Sequence, residues 1–402
     1  MLTIYISIRV EAKEMIENKN VISSFCFLSM LFLGVGSTLI GAAARNIGLT
    51  PFQIGLILSI QNFGFMLAVT VSGALADTYE KPKILCVGSI ILAASFLTFY
   101  VTDSFFLNLV IMFFIGIGIG SYEGVTDAML LEMQKGRESI YININHFFVT
   151  FGALVITAYL LFLQMNWGKS VTQASVGVLI LAILLAFTRQ SSEGTVVEKL
   201  SERLRFLRKQ KTVLLLFLAT ICAIGLELCL TGIITTFLME LRGFSQVTSK
   251  LGLITFLTGI AAGRLSIGFF VEKARILHLI MLLFALSAVS IGGVLFFDAM
   301  GLTYTLMFIS GGTISAILPL IITLAGIMYK DMSGTVMGII KLAIPVGGIS
   351  IPFLLSVISK YASLELSLLL FPSIALVGFL ILFLSRKAFQ SHLEHFYKRG
   401  RP

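Results

Sequence analysis

Two acids stand four residues apart in a run that is otherwise apolar and glycine-rich: Glu123 and Asp127 in GIGIGSYEGVTDAML. Such a spacing puts both carboxylates on one face of a helix. A charged side chain at the centre of a membrane helix costs about 2.5–3.5 kcal/mol on insertion scales, so its presence asks for a reason. Two neighbouring carboxylates compete for charge, and one of them can hold a proton at neutral pH. The alternative is a static bridge to a basic residue such as Lys341 or Arg264. His146 is a further proton relay candidate. Glu227 and Lys341 stand alone in their own apolar runs; they either pair with each other or leave Glu227 free to accept from vicinal hydroxyls. Gln61, Asn62, Asn143, Asn145 and Thr313 are neutral donors that serve either a solute or interhelical contacts.

The elements that carry these residues follow from hydropathy. The chain has 402 residues, 57% hydrophobic and 12% charged, with a mean hydropathy of +1.00; a soluble surface needs about twice that charge. Twelve segments, about 21–44, 51–76, 84–102, 104–131, 139–165, 170–188, 212–239, 251–271, 276–297, 302–329, 333–359 and 366–385, are each long enough to cross a bilayer as a helix. The expected fold is all-α and integral to the membrane.

Of the 29 basic residues, twenty-two fall on the side of the two termini and five on the other (Arg45, Lys169, Arg242, Lys250, Lys360), leaving Arg264 and Lys341 within spans. That asymmetry places both termini in the cytoplasm. The +9 net charge therefore belongs to membrane edges and implies no nucleic-acid partner. Cys26, Cys86, Cys222 and Cys229 lie in apolar runs without CxxC or Cys/His spacing, so neither a disulfide framework nor a metal site is expected.

The longest connection, residues 189–211, divides the chain into a six-helix bundle over 1–188 and a second over 212–402 with a short tail. Its VVEKLSERLRFLRK stretch suits a basic helix lying on the anionic inner leaflet. The halves echo each other at an offset of 195 residues: Gly64, Gly73 and Asp77 match Gly259, Gly268 and Glu272; Gly116 matches Gly311; His146 and Gly152 match Lys341 and Gly347. Parallel six-helix repeats with a site between them are a transporter architecture.

After the second span comes GALADTYEKPK, residues 73–83, with a degenerate second copy, GRLSIGFFVEK, at 263–273. This loop resembles that of the major facilitator superfamily, although Thr78 stands where a basic residue is usual and Glu80 where a glycine is usual. The resemblance implies a gating role for Gly73, Asp77, Lys81, Arg264, Gly268 and Glu272. Gly73 would permit close packing; Asp77 would face the start of span 11 near Ser333, and Glu272 the start of span 5 near Ser139. Gly120 with Glu123, Asn143 with His146 and Phe151-Gly152-Ala153, and Gly225 with Glu227 are similar to patterns of the fucose and glucose–proton symporters, except that span 1 carries no carboxylate. What this implies is a monomeric permease of the cell membrane carrying a small polar solute, sugar first, with protons; Glu123 is the proton carrier, tuned by Asp127 or His146. A drug or metabolite efflux antiporter on the same fold is the alternative, although span 5 lacks the proline usual in that branch. No nucleotide loop or nucleophile–base pair is present, so neither an enzyme nor a cofactor is expected.

Overall fold

The computed structural model describes residues 15–76, 79–134, 138–190, 207, 209–270, 275–329 and 333–389. Ten long helices come first: α1 (Lys19–Ile47), α2 (Pro51–Leu75), α3 (Lys81–Thr98), α4 (Phe105–Met133), α5 (Glu138–Phe162), α6 (Trp167–Ala186), α7 (Lys211–Glu240), α8 (Gln246–Phe270), α9 (Ile276–Phe296) and α10 (Met300–Met328). Four shorter ones follow: α11 (Ser333–Lys341), α12 (Ala343–Tyr361), α13 (Leu364–Leu368) and α14 (Leu370–Leu384). The last four pair up as spans 11 and 12, giving twelve spans. Eleven are long and apolar enough to cross a membrane on composition alone. The remaining one, α8, has the length but carries both Lys250 and Arg264.

Turn chemistry sets the first boundary. Gly48 ends α1 at φ 88°, donating its N–H to the carbonyls of Ala44 and Arg45. Two residues later Thr50 and Gln53 form a reciprocal capping box ahead of Pro51, so the chain reverses within three residues. Span 11 is broken at Leu342, between Lys341 and Ala343. The cause is Pro345, which has no N–H to give the carbonyl of Lys341 four residues back.

Packing repeats between the halves. In the first six spans α2 lies on α4, α1 on α5 and α3 on α6; in the second, α8 lies on α10, α7 on α12 and α9 on α14. The repeat extends to single atoms. A Cβ added at Gly64 would run into the Phe113 carbonyl, and one added at Gly259 into the Phe308 carbonyl, 195 residues further on in both members. Gly116 against Gln61 and Gly311 against Phe256 follow the same rule. With lipid as apolar as leucine, such small-residue contacts are what let helices associate closely.

The halves meet through α1 on α7, α2 on α12 and α5 on α8. Many of their polar contacts lie at the end remote from the termini. There Arg45 pairs with Glu240 at 2.7 Å, Asn46 Nδ2 donates to Gln246 at 3.2 Å, and Lys250 Nζ donates to Asn46 Oδ1 at 2.9 Å. Thr235 donates to the Gly41 carbonyl, and Ser356 to that of Phe52 at 2.8 Å. Lys250, which the charge count puts on the side opposite the termini, is the fifth residue of α8 and is fully buried. This end of the molecule is sealed.

Most of the linker, residues 191–206 and 208, and its expected amphipathic helix lie outside the described residues.

Candidate functional site

Where the halves face each other below that seal, α4, α5 and α11 bring four ionisable groups together. Glu123 and Asp127 come from one face of α4, His146 from α5, and Lys341 from the last residue of α11, at the helix break. Asp127 is the hub. Its Oδ2 lies 3.0 Å from His146 Nε2 and 3.0 Å from Lys341 Nζ. Its Oδ1 accepts from Asn145 Nδ2 at 3.0 Å, and that amide also reaches Thr126 Oγ1 at 2.9 Å. The Asp127 side chain keeps only 14% of its exposure, against 33% for His146 and 40% for Lys341. Three polar partners fix the position and plane of this carboxylate.

Glu123 differs. It has no hydrogen bond or ion pair with any described residue, and it lies on the wall of a cavity of about 270 Å³. Asp127, Lys341 and Gly73 share that wall with Phe65, Met66, Val69 and Ile344. One helical turn thus carries a saturated carboxylate and one without a hydrogen bond or ion pair among the described residues. The Asp127–Lys341 pair also joins the two halves, since α4 belongs to the first and α11 to the second.

A second charged group lies on the other pair of facing helices. Arg264 on α8 donates to Glu227 on α7 at 2.6 Å and to Thr150 on α5 at 2.9 Å. Two expectations change here. Lys341 does not pair with Glu227; it reaches across to Asp127, and Arg264 takes Glu227. Arg264 thus ties two helices of its own bundle and also reaches the first half through Thr150. The hydroxyl-binding role weighed for Glu227 now competes with an ion pair already made.

Of the other loop-motif residues, Asp77 and Glu272 lie outside the described residues, and neither the surroundings of Gly268 nor the side chain of Asn143, the remaining site candidate, is described. Lys81 is buried and pairs with Glu132 on α4 at 2.8 Å. Gly73 is not a close-packing position: an added Cβ would meet only the Gly124 carbonyl, at 3.9 Å. It is a smooth patch of cavity wall. Asn145, one of the neutral donors named from the sequence, is the amide partner of Asp127, and Thr150 is the polar partner that the sequence did not single out. Each is on the α5 surface within a turn of His146, and that proximity was the available signal.

Twelve spans in two matched bundles, with ionisable groups gathered between them, define a multi-pass membrane transporter rather than an enzyme. The family model described as Major Facilitator Superfamily matches residues 22–352, and the chain belongs to that superfamily. Among solved structures, the fold is similar to a bacterial homologue of the human lysosomal transporter Spinster in an inward-facing, occupied conformation, at 16% identity and a TM-score of 0.73, covering 93% of this chain and 98% of that one. It is equally similar to a mutant of the nucleoside transporter NupG, at 13% identity and a TM-score of 0.74, covering 93% and 99%. A D-xylose–proton symporter follows at 12% identity and a TM-score of 0.73, covering 90% and 96%. No curated protein matches the sequence.

Proposed function

We propose that this chain is a proton-coupled symporter of the fucose/glucose–proton branch, taking up a small polar solute, with sugar as the first class to test. The supporting observation is the pairing on α4 of a carboxylate without a partner among the described residues, Glu123, with a saturated one, Asp127, at the wall of a cavity between the halves. A proton carrier needs a group whose charge can change without dismantling its surroundings. Glu123 meets that need; Asp127, clamped by His146, Lys341 and Asn145, sets the field around it. The protein works as a monomer in the cell membrane with both termini cytoplasmic, through one bundle over 1–188, a linker over 189–211 and a second bundle over 212–402. On this reading Asp77 and Glu272, outside the described residues, keep the gating role that the family resemblance implies for them.

A second reading, efflux of an amphipathic solute in exchange for protons, draws on the apolar part of the wall, Phe65, Met66, Val69 and Ile344. One experiment separates them. The purified protein, in proteoliposomes, is offered labelled sugars, amino acids and lipophilic drugs with and without an imposed pH gradient. Sugar accumulation driven by external acid supports symport; drug accumulation driven by internal acid supports antiport and overturns the first reading.

A further inference from the structure

We propose that Glu123, Asp127 and His146 form a binding site for a first-row divalent cation such as Zn²⁺ or Mn²⁺, and that the Lys341 ammonium is the tethered cation holding its place in the state described here. One donor atom from each of the three side chains can be chosen so that all lie within 4.8 Å of one another. Ligands around one first-row ion stand about 3–4 Å apart, so small rotations close the set. Two carboxylate oxygens and an imidazole nitrogen are a donor set for Zn²⁺ or Mn²⁺, and three protein ligands beside a cavity leave a coordination position open.

Two independent features support a cation at this place. Lys341 Nζ, supplied by the opposite half, already sits 3.0 Å from Asp127 Oδ2. The surroundings also hold the ligand carboxylate as metal sites do: Asn145, fully buried, donates to the other Asp127 oxygen and fixes the carboxylate plane. Charge favours the exchange as well. With a neutral imidazole the three ligands sum to −2; the ammonium offsets one unit and a divalent ion offsets both. Because ammonium and metal use the same oxygen, they exclude each other, and metal binding releases Lys341 and with it this link between the halves.

The proposal needs neither a solute nor a proton gradient, so it stands or falls apart from the symport reading. The full-length protein in detergent, with the tail histidines His392 and His395 changed to Gln, is titrated with Co²⁺ by visible absorption and then with Zn²⁺ as competitor. The expected result is one Co²⁺ per chain, displaced by Zn²⁺. Glu123→Gln and His146→Gln, each verified as monodisperse, weaken it at least tenfold. Lys341→Met strengthens it severalfold. Absence of Co²⁺ bands at millimolar metal, or equal binding in Glu123→Gln and His146→Gln, overturns the site. Unchanged affinity in Lys341→Met overturns the tethered-cation assignment.

Discussion

Replacing Glu123 by Gln and, separately, Asp127 by Asn should separate coupling from structure on a single helical turn. Both changes keep side-chain size and remove one negative charge. Glu123 makes no hydrogen bond or ion pair with a described residue, so its amide should shift stability by no more than about 0.5 kcal/mol. Asp127 binds His146, Lys341 and Asn145 at 3.0 Å each. Breaking a fully buried ion pair costs about 3–5 kcal/mol, and an exposed one about 0–1. With Lys341 40% exposed and Asp127 at 14%, Asp127→Asn should cost about 1–3 kcal/mol, between those limits. Transport should show the opposite ranking of interest. A gradient of one pH unit supplies about 1.4 kcal/mol per proton, enough for roughly tenfold accumulation at one proton per solute. In proteoliposomes Glu123→Gln should lower that ratio to about one while retaining counterflow exchange, which needs no net proton movement. If Glu123→Gln still accumulates solute about tenfold, or unfolds as readily as Asp127→Asn, the division of roles drawn from this turn of helix is wrong.

Other outcomes follow from the same geometry. Arg264→Gln leaves Glu227 without its 2.6 Å partner and should cost about 1–3 kcal/mol, within the range for a charge stranded in a span; adding Glu227→Gln should restore most of it, as thermal melts in detergent would show. Gly64→Ala and Gly259→Ala each drive a methyl into the equivalent carbonyl of a neighbouring helix, so both should lose about 1–3 kcal/mol by overpacking. A large loss in one and none in the other would speak against the repeat as a packing rule. Gly41 lies against the Thr231 backbone across the halves. Gly41→Ala should therefore loosen the sealed end, measured as faster labelling of a cysteine at position 46 in a background lacking the native cysteines.

The contrast between what hydropathy and spacing disclose runs through these residues. Lipid leaves backbone groups no partner but their own helix, so twelve apolar runs translate directly into twelve spans. Spacing along one helix likewise places Glu123 beside Asp127. It does not give the rotation of one helix against another, and for that reason the sequence is compatible with either Glu227 or Asp127 as partner of Lys341, while the placement of α11 beside α4 selects Asp127. The burial of Lys250 is not legible in the same way, because its contact with Asn46 depends on a turn of the opposite half. Cys/His spacing along the chain gives no sign that Glu123, Asp127 and His146 approach closely, because they come from two helices. Gly73 shows the converse: a motif glycine invites a packing explanation, whereas its surroundings are open.

The discontinuity after Lys341 has a mechanical meaning. Pro345 leaves the Lys341 carbonyl without its usual helix donor, so bending at that joint has one ladder bond fewer to break, and the ammonium is mounted where α11 and α12 meet. A small swing of α11 would carry the charge away from Asp127 while α12, anchored against α2, stays put. Rocking of the halves and unmasking of the α4 acids would then be a single lever movement, with its fulcrum built into the chain.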